Sequence, residues 1–554
     1  MSRFNSRKPR YNDDSDYTTN APSYYDFLGK MKKQFNIVTD YVNKLLKRNI
    51  KFEESSTIDF SEDGGWDITN DNDEIKIKAS VKTSLYNEEI TLENVNQYIQ
   101  LKNSIEEKED GLWSPDYLEA IRLLDNEISN IIMKSVNNRE PVLTPEHFTW
   151  KDHPLENKVY RDNNGNVTHD FDVSIYRPFG KRYYVDPNVS ASGDGLTLET
   201  AFKTMGEALH QNDIVEMVLA NGIYLRDNVL WGNSNYVTKD ISIMAMEGHK
   251  PLLCSGVPIS YTLNETYNNV YQATTGTCTN VVDIKNTNIN GDFTLFTRVT
   301  SLEEVSMTYG SWFHDGTTLY IKTFDGRVPD DNIIRCTGGR AIEQVGDCVV
   351  YLEGLTFIEG NSGLTVRNLP NVRAPRIFSK NCRFLYSSSD GWNVVSLQGV
   401  ELSIFQKCEF SHGQKDGIHY SALNGVQSFG VEIECYGGNN GVLGTSNNQS
   451  STAHNSCKVI RLLCNYYGNY GNNIGDSGIG VETWNIACIS HNAKADNPGQ
   501  NTNYMVYDDT TMFIEDCLGY DSLNDIGGGG TAYIKNNNLL SETKIQNRTN
   551  VIYY

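Results

Sequence analysis

Two aspartates of this chain lie at a spacing that brings carboxylates together in a repeating fold. Asp390 and Asp416 each precede a glycine, in the segments SSSDGWNV and GQKDGIHY, and they are 26 residues apart (416 minus 390). Asn440 precedes the next such glycine, so we expect the three side chains to stack in one column, about 4.8 Å apart. Two carboxylates at that distance cannot both ionise easily, so one pKa rises. The pair then supplies an acid and a base or nucleophile, as in retaining glycosidases.

Other side chains near these aspartates are candidates for substrate binding. Trp392 and His419 flank the predicted column, and Asp476, in the segment GDSG, approaches it two repeats later. A simpler interpretation stays open, because Asp-Gly and Asn-Gly pairs favour tight turns for local reasons alone. A single histidine is likewise typical of surface hydrogen bonding. The sequence therefore predicts a catalytic pair, Asp390 and Asp416, with turn formation as the alternative.

A second pair of acids, Glu432 and Glu434, alternates with apolar residues along one strand. We expect both to point outward, beside Arg461 and Lys407 of the neighbouring repeats. Cross-strand ion pairs of this kind stabilise a sheet. The prediction for these two glutamates is therefore structural.

The elements that position these residues are indicated by cysteines. Six of them follow one another at intervals of 24 to 29 residues: Cys382, Cys408, Cys435, Cys464, Cys488 and Cys517. A period in the twenties is typical of solenoids. Apolar residues alternate around each cysteine, and Gly and Asn crowd the connections, which indicates strands rather than helices. We predict an all-β solenoid, a parallel β-helix, with the six cysteines as an interior ladder of free thiols.

Composition and charge restrict the classes of molecule that this protein is expected to bind. The 554 residues include 48 Lys plus Arg against 70 Asp plus Glu, a balance of −22, which opposes binding to nucleic acid. Sugar polymers stay open as ligands, since the 32 tyrosines offer rings that stack on sugars. Cysteine and histidine spacings favour no metal site, so we predict no metal and no cofactor. The absence of a long apolar run predicts no membrane insertion and no signal peptide, hence folding in a cytoplasm.

Four segments are predicted along the chain. Residues 1–22 are a polar arm, and residues 23–136 are a helical region with apolar stripes at 27–46 and 114–136. Residues 137–180 are a connector rich in Pro, Asn and Asp. Residues 181–554 are the β-helix, opening with a strand at 183–185, a helix from about Thr197 and a strand at 214–219. The stripes allow helix packing either within one subunit or between subunits.

The opening of the β-helix resembles a known family. The succession YYVDP, SGDGLTLETAFKTMGEAL and LANGIYLRD is similar to the start of the pectate-lyase-like right-handed β-helix in bacteriophage tailspikes and tail or neck appendages. The resemblance covers roughly 181–554, and it implies a homotrimer that binds host cell-surface polysaccharide or teichoic acid, often with hydrolase or lyase activity. It also implies that the N-terminal region anchors the protein to tail, collar or portal proteins of the virion. Catalytic residues vary within the family, so none is transferred.

Three hypotheses about function follow. The first is a phage tail appendage that attaches the virion to a host glycopolymer and in some versions degrades it. The second is a structural virion spike without activity, and the third is a free polysaccharide hydrolase or lyase. Binding of host cell wall separates the first hypothesis from the second.

Overall fold

The computed structural model describes two compact units, Met1–Gly111 and Leu112–Tyr554. The described residues are 65–71, 74–80, 139–162, 165–225, 230, 236–256, 259–276, 278–288, 292–336, 339–358, 360–387, 393–442 and 448–554. In the first unit, the strands Gly65–Asp71 and Glu74–Ser80 form an antiparallel pair that the sequence did not predict. The predicted arm and both predicted helical stripes lie outside the described residues.

Three parallel sheets of 12, 10 and 9 strands wind through the second unit, and each coil in the middle of the β-helix adds one strand to each sheet. Sheet I contains Lys181–Val185, Ile214–Leu219, Ile241–Ala245, Val349–Glu353, Arg376–Lys380, Leu402–Gln406, Phe429–Ile433, Lys458–Leu462, Val481–Ile486, Thr510–Glu515, Thr531–Lys535 and Asn550–Tyr553. Sheet II contains Ile223–Tyr224, Leu252–Cys254, Thr356–Ile358, Arg383–Leu385, Glu409–Ser411, Tyr436–Gly438, Asn465–Tyr467, Ile489–His491, Leu518–Tyr520 and Asn538–Leu539. Sheet III contains Arg340–Val345, Ser362–Arg367, Val395–Gln398, Ile418–Ser421, Ser451–Ala453, Ile474–Asp476, Thr502–Val506, Asn524–Gly527 and Thr543–Ile545. This is a right-handed parallel β-helix, as the sequence predicted.

A single left-handed residue turns the chain from sheet I to sheet II in successive coils. These residues have φ between 50 and 56°: Asn381, Lys407, Glu434, Leu463, Ala487 and Asp516. Each is followed by one of the six periodic cysteines, and the sheet II strands that begin one residue later pair in register. The cysteines therefore form one interior ladder, as predicted, with every side chain at most 1% exposed. The ten cysteines whose side chains the structure describes are all buried free thiols.

A short helix, α1 (Met205–Leu209), packs on the first coil. Its N-cap Thr204 and Glu207 form a capping box, so the helix begins later than the predicted Thr197. Met205 and Leu209 join the interior core of the β-helix. The apolar end of the first coil is thus covered, as expected for a solenoid.

Residues 139–179 form a segment that we name the strap. It contains Glu140–Pro141, Val159–Arg161, Val167–His169 and the 3-10 helix Val173–Tyr176. The strap lies on the outer face of sheet I, where Phe148 contacts Trp484 and Phe513 and Tyr176 stacks on Phe378. Residues 137–180 were predicted to be a connector. The strap packs on the outer apolar side chains of sheet I, so the strands that it covers are buried on both faces.

An insertion between the second strand of sheet II and the first strand of sheet III carries its own small core. Its two sheets contain Thr262–Leu263, Tyr271–Thr274, Thr297–Arg298, Ser311–His314 and Thr318–Lys322, and then Asn280–Thr287, Phe293–Leu295 and Ile333–Cys336, with helix α2 at Leu302–Met307. Val282 and Ile334 of the insertion pack against Ile358 and Leu385 on the outer face of sheet II. Within the described residues, no helix is long and apolar enough to cross a membrane.

Candidate functional site

A column of polar side chains lies where the chain enters sheet III. The strands of this sheet pair Val395 with Ile418, Ile418 with Ser451 and Ser451 with Ile474. The residues two positions earlier therefore align along the axis of the β-helix: Asn393, Asp416, Gln449 and Asn472. Each of these side chains is at most 6% exposed. We call this set the polar column.

The residues of the polar column differ from those that the sequence predicted to stack with Asp416. Asp416 aligns with Asn393 and Gln449, and not with Asn440. Asn440 instead lies beside Gly413, whose backbone N–H donates to Asn440 Oδ1 at 2.8 Å. The cause is the connection from sheet II to sheet III, which differs in length from coil to coil, so that equal spacing along the chain does not give equal positions in the coil. Asp390 and Trp392 lie outside the described residues, so the pairing of two carboxylates stays a prediction.

Asp416 orients His419, and these two predicted residues do lie together. Asp416 Oδ1 accepts the backbone N–H of Gln449 at 3.0 Å, and Oδ2 is 3.3 Å from His419 Nδ1. Because a carboxylate only accepts hydrogen bonds, this contact places the proton of a neutral His419 on Nδ1 and leaves Nε2 as the basic nitrogen. Within the described part of the chain, Nε2 has no hydrogen-bond partner. A histidine oriented by a buried carboxylate is the usual arrangement of a proton acceptor.

A second histidine, His454, stacks on His419 with ring centroids 4.7 Å apart. Its two nitrogens contact Ser477 Oγ at 2.8 Å and Thr452 Oγ1 at 3.0 Å. Burial, followed by the proximity of His419, lowers the pKa of His454 to about 4. His454 is therefore neutral near pH 7 and supports the ring of His419. Sequence reasoning missed it, because nothing in its neighbourhood along the chain marks it.

Two buried amide oxygens of the polar column lack partners. Asn472 Nδ2 donates to the hydroxyl of Tyr507 at 3.0 Å, yet Asn472 Oδ1 has no hydrogen-bond partner. Asn393 Oδ1 is unpaired in the same way. Other buried acceptors of the described residues, such as Asn368 Oδ1 and Asn465 Oδ1, also lack a partner, so these two do not mark a site by themselves. Burial also raises the pKa of Tyr507, which keeps it a neutral hydroxyl.

Polar side chains continue along the outer face of sheet III. Thr365, Ser396, His419 and Thr452 occupy one row, one residue per coil, and their strand neighbours point into the core. The row runs parallel to the axis of the β-helix, beside the polar column. We call the row and the column together the polar face. Thr365, Ser396 and Thr452 are at most 3% exposed, so His419, with 16% of its side chain exposed, is the member of the polar face that solvent reaches.

Asp476, predicted to contact substrate, faces the interior of the β-helix instead. It is fully buried, and Arg461 holds it through two contacts of 2.8 and 2.9 Å. Thr483 and the backbone N–H of Ala453 each donate to it at 2.8 Å. Asp476 is therefore part of an internal charge cluster, and it does not belong to the polar face.

Glu432 also differs from its predicted orientation. It does pair in register with Arg461, as expected, but its side chain points inward and is fully buried. Ser451 Oγ donates to it at 2.6 Å, Tyr466 donates to its other oxygen, and burial raises its pKa to about 7. Glu434 does point outward and contacts Lys407 at 3.5 Å, as predicted.

No protein-family model and no curated protein sequence matches this chain. Three solved structures that align with part of it do so at low similarity. XylC in complex with xylose is 14% identical, with a TM-score of 0.38, covering 67% of this chain and 68% of that one. Pectate lyase Pel9A is 11% identical, with a TM-score of 0.38 and coverages of 68% and 79%. The ORF18 protein of Geobacillus virus E2 is 11% identical, with a TM-score of 0.28 and coverages of 74% and 71%. Likeness at this level is no guide to activity.

Proposed function

We propose that this protein is a bacteriophage tail appendage that attaches the virion to a host cell-surface polysaccharide or teichoic acid. The observation that carries the proposal is His419, which is partly exposed on the outer face of sheet III and is oriented by the buried carboxylate of Asp416. The coils around it repeat about every 4.8 Å along the axis of the β-helix. An extended polymer of repeating units is the ligand that suits such an elongated, regular support. The resemblance of residues 181–554 to phage appendages supports placing this activity on a virion.

Binding to cell walls tests the proposal. The purified protein is mixed with walls of candidate hosts, and the fraction that sediments with the walls is measured before and after the glycopolymers are chemically stripped. Retention that disappears on stripping supports the proposal. A protein that sediments with no host wall is a structural spike, the second hypothesis from the sequence.

Cleavage of the bound polymer is a separate part of the proposal, and Asp416 with His419 is its centre. His419 Nε2 accepts a proton from water or from the ligand, while Asp416 fixes the ring and balances the positive charge that forms. Asp416→Asn keeps the shape but weakens this orientation, so chain shortening falls by orders of magnitude while wall binding persists. Wild-type protein that binds walls without shortening their polymers is an adhesin.

The proposed function also includes assembly into a homotrimer on the virion. The family resemblance implies a homotrimer whose N-terminal region docks on tail, collar or portal proteins of the phage. Mass measurement in solution tests the trimer directly. A monomer at micromolar concentration excludes an obligate trimer but leaves assembly on the virion open to electron microscopy of the particle.

A further inference from the structure

The outer face of sheet II changes along the β-helix. In the early coils the insertion covers this face, since its Val282 and Ile334 pack there. Over the last five strands of sheet II, the outward side chains form two rows: Tyr436, Asn465, Ile489, Leu518 and Asn538, and beside them Gly438, Tyr467, His491, Tyr520 and Leu540. We name these ten residues the neutral strip, because none of them is an aspartate, glutamate, lysine or arginine.

Large apolar and aromatic side chains make up most of the neutral strip, and solvent reaches them. Tyr436, Ile489 and Leu540 are 39, 37 and 67% exposed. Gly438 is buried beneath the ring of Tyr467, and the other members of the strip are exposed or partly exposed. Contiguous apolar patches on a protein surface mark contacts with other macromolecules. The neutral strip is therefore an interaction surface, and its chemistry indicates the partner.

The rings of the neutral strip present their edges to the outside. Tyr467 and His491 stack with ring centroids 5.5 Å apart, and His491 and Tyr520 stack at 4.6 Å, with interplanar angles of 14 and 3°. Their faces therefore cover one another along the axis of the β-helix. Stacking of a sugar needs a free ring face, so the neutral strip does not suit a glycan.

Charge favours a second copy of this chain as the partner. The chain has a net charge of −22, so identical copies repel one another wherever their acidic side chains meet. An uncharged apolar surface lets identical copies approach without that repulsion. In the preceding coils the charged groups of this face pair within the chain, since Arg383 contacts Glu409 at 2.5 Å and Asp292 of the insertion at 3.7 Å. The neutral strip begins where those pairs end, and it is compatible with itself.

We infer that the neutral strips of neighbouring copies pack against one another around the threefold axis of the homotrimer. This inference rests on the proposed function, because it names the surface that joins the copies assembled there. Each coil adds two residues of the strip to the contact, about 4.8 Å further along the axis. His419 lies on sheet III rather than sheet II, so the contact leaves it open to a ligand.

Chemical cross-linking of the full chain tests the inference. Leu540→Cys places one exposed thiol on the neutral strip, and Ile479→Cys is the matched control, at a residue 76% exposed in a turn outside it. A short bismaleimide is added at micromolar protein concentration, and wild-type protein measures the reaction of the native thiols. Leu540→Cys gives at least tenfold more covalent dimer on a denaturing gel than Ile479→Cys. Equal linkage in the two variants overturns the inference, and so does a wild type that is a monomer by mass in solution.

A charge on the neutral strip separates the copies. In the Leu540→Cys background, Ile489→Glu brings carboxylates of neighbouring copies together, so linkage falls at least tenfold. Ile479→Glu is the same change outside the strip and leaves linkage as it was. Unchanged linkage in a folded Ile489→Glu variant contradicts the inference. The comparison of Leu540→Cys with Ile479→Cys stands whether or not Ile489→Glu folds.

Sedimentation with host walls separates this inference from the proposed attachment to a glycopolymer. If the protein sediments with walls but Leu540→Cys links no better than its control, the inference fails and attachment stands. If Leu540→Cys links but the protein sediments with no wall, the inference stands and attachment fails. If neither occurs, both fail.

Discussion

Replacing Arg461 with methionine removes the cation from the interior of the β-helix. Arg461 is fully buried, contacts Asp476 at 2.8 and 2.9 Å, donates to Ser451 at 2.8 Å and lies 3.6 Å from Glu432. Methionine fills most of the volume, so the main effect is an uncompensated carboxylate at Asp476. Breaking a buried ion pair on one side costs about 3–5 kcal/mol of unfolding free energy.

A second substitution, at Asp476, is expected to restore much of the unfolding free energy that Arg461→Met loses. In Arg461→Met with Asp476→Asn, no buried charge remains at position 476. The new amide oxygen accepts the backbone N–H of Ala453 in place of Oδ1, and the amide NH2 takes the place of Oδ2, where the hydroxyl of Thr483 turns to accept from it. Glu432 takes up a proton when its cation is absent. We therefore expect the double variant to recover more than half of the lost stability, a coupling far from additive.

Guanidinium unfolding followed by tryptophan fluorescence measures these differences. The control is Arg373→Met, which breaks an exposed pair with Glu401 at 3.0 Å, for which the expected cost is about 0–1 kcal/mol. The reasoning is refuted if Arg461→Met costs no more than Arg373→Met. It is also refuted if the losses of the two single variants simply add in the double variant.

Three further predictions concern pH, thiols and the strap. Glu432 has a pKa of about 7 in the fold and 4.5 as a free side chain, so its contribution to stability falls as pH rises from 4.5 to 7. His153 and His454, with pKa lowered from 6.5 to about 4, act in the opposite direction between pH 4 and 6.5. Glu432→Gln should therefore make the unfolding temperature rise more steeply with pH in that range, and parallel profiles contradict the assignment. The ten buried thiols should react with a thiol reagent only after unfolding, and rapid reaction in native protein contradicts the interior ladder. Phe148→Ala should cost about 3–5 kcal/mol and expose residues 139–179 to protease, and unchanged proteolysis argues against the strap as a fixed element.

The coils of the β-helix could be predicted because the sequence features that mark them are local and recur in each coil. Each periodic cysteine follows a left-handed residue and precedes an outward-facing strand position, so one small apolar side chain marks the same place in six coils. Spacing in the twenties then suffices to identify a solenoid. The insertion and the strand pair at 65–80 carry no such repeat, and the sequence did not reveal them.

The orientation of Glu432 was predicted wrongly because alternation shows two faces without showing which is inside. Val431 and Ile433 are apolar, but they pack against the strap rather than the interior. A strand with both faces buried loses the polar face that normally fixes its orientation. Only the contact of a segment 260 residues earlier in the chain, such as Phe171, decides that Glu432 points inward.

Spacing along the sequence does not predict which residues align in the polar column. Asp416 and His419 are three residues apart and could be paired from the sequence, but Asn393 and Asn472 reach the column only after connections of different length. The interior beneath the column contains the charge cluster of Arg461 and Asp476, whereas the strap lies on the outer face of sheet I. His454 comes 35 residues after His419 along the chain (454 minus 419) and reaches its ring only because adjacent strands of sheet III pair in register. The sequence therefore shows Asp416 and His419 together, and the fold adds the partly buried ring that supports them.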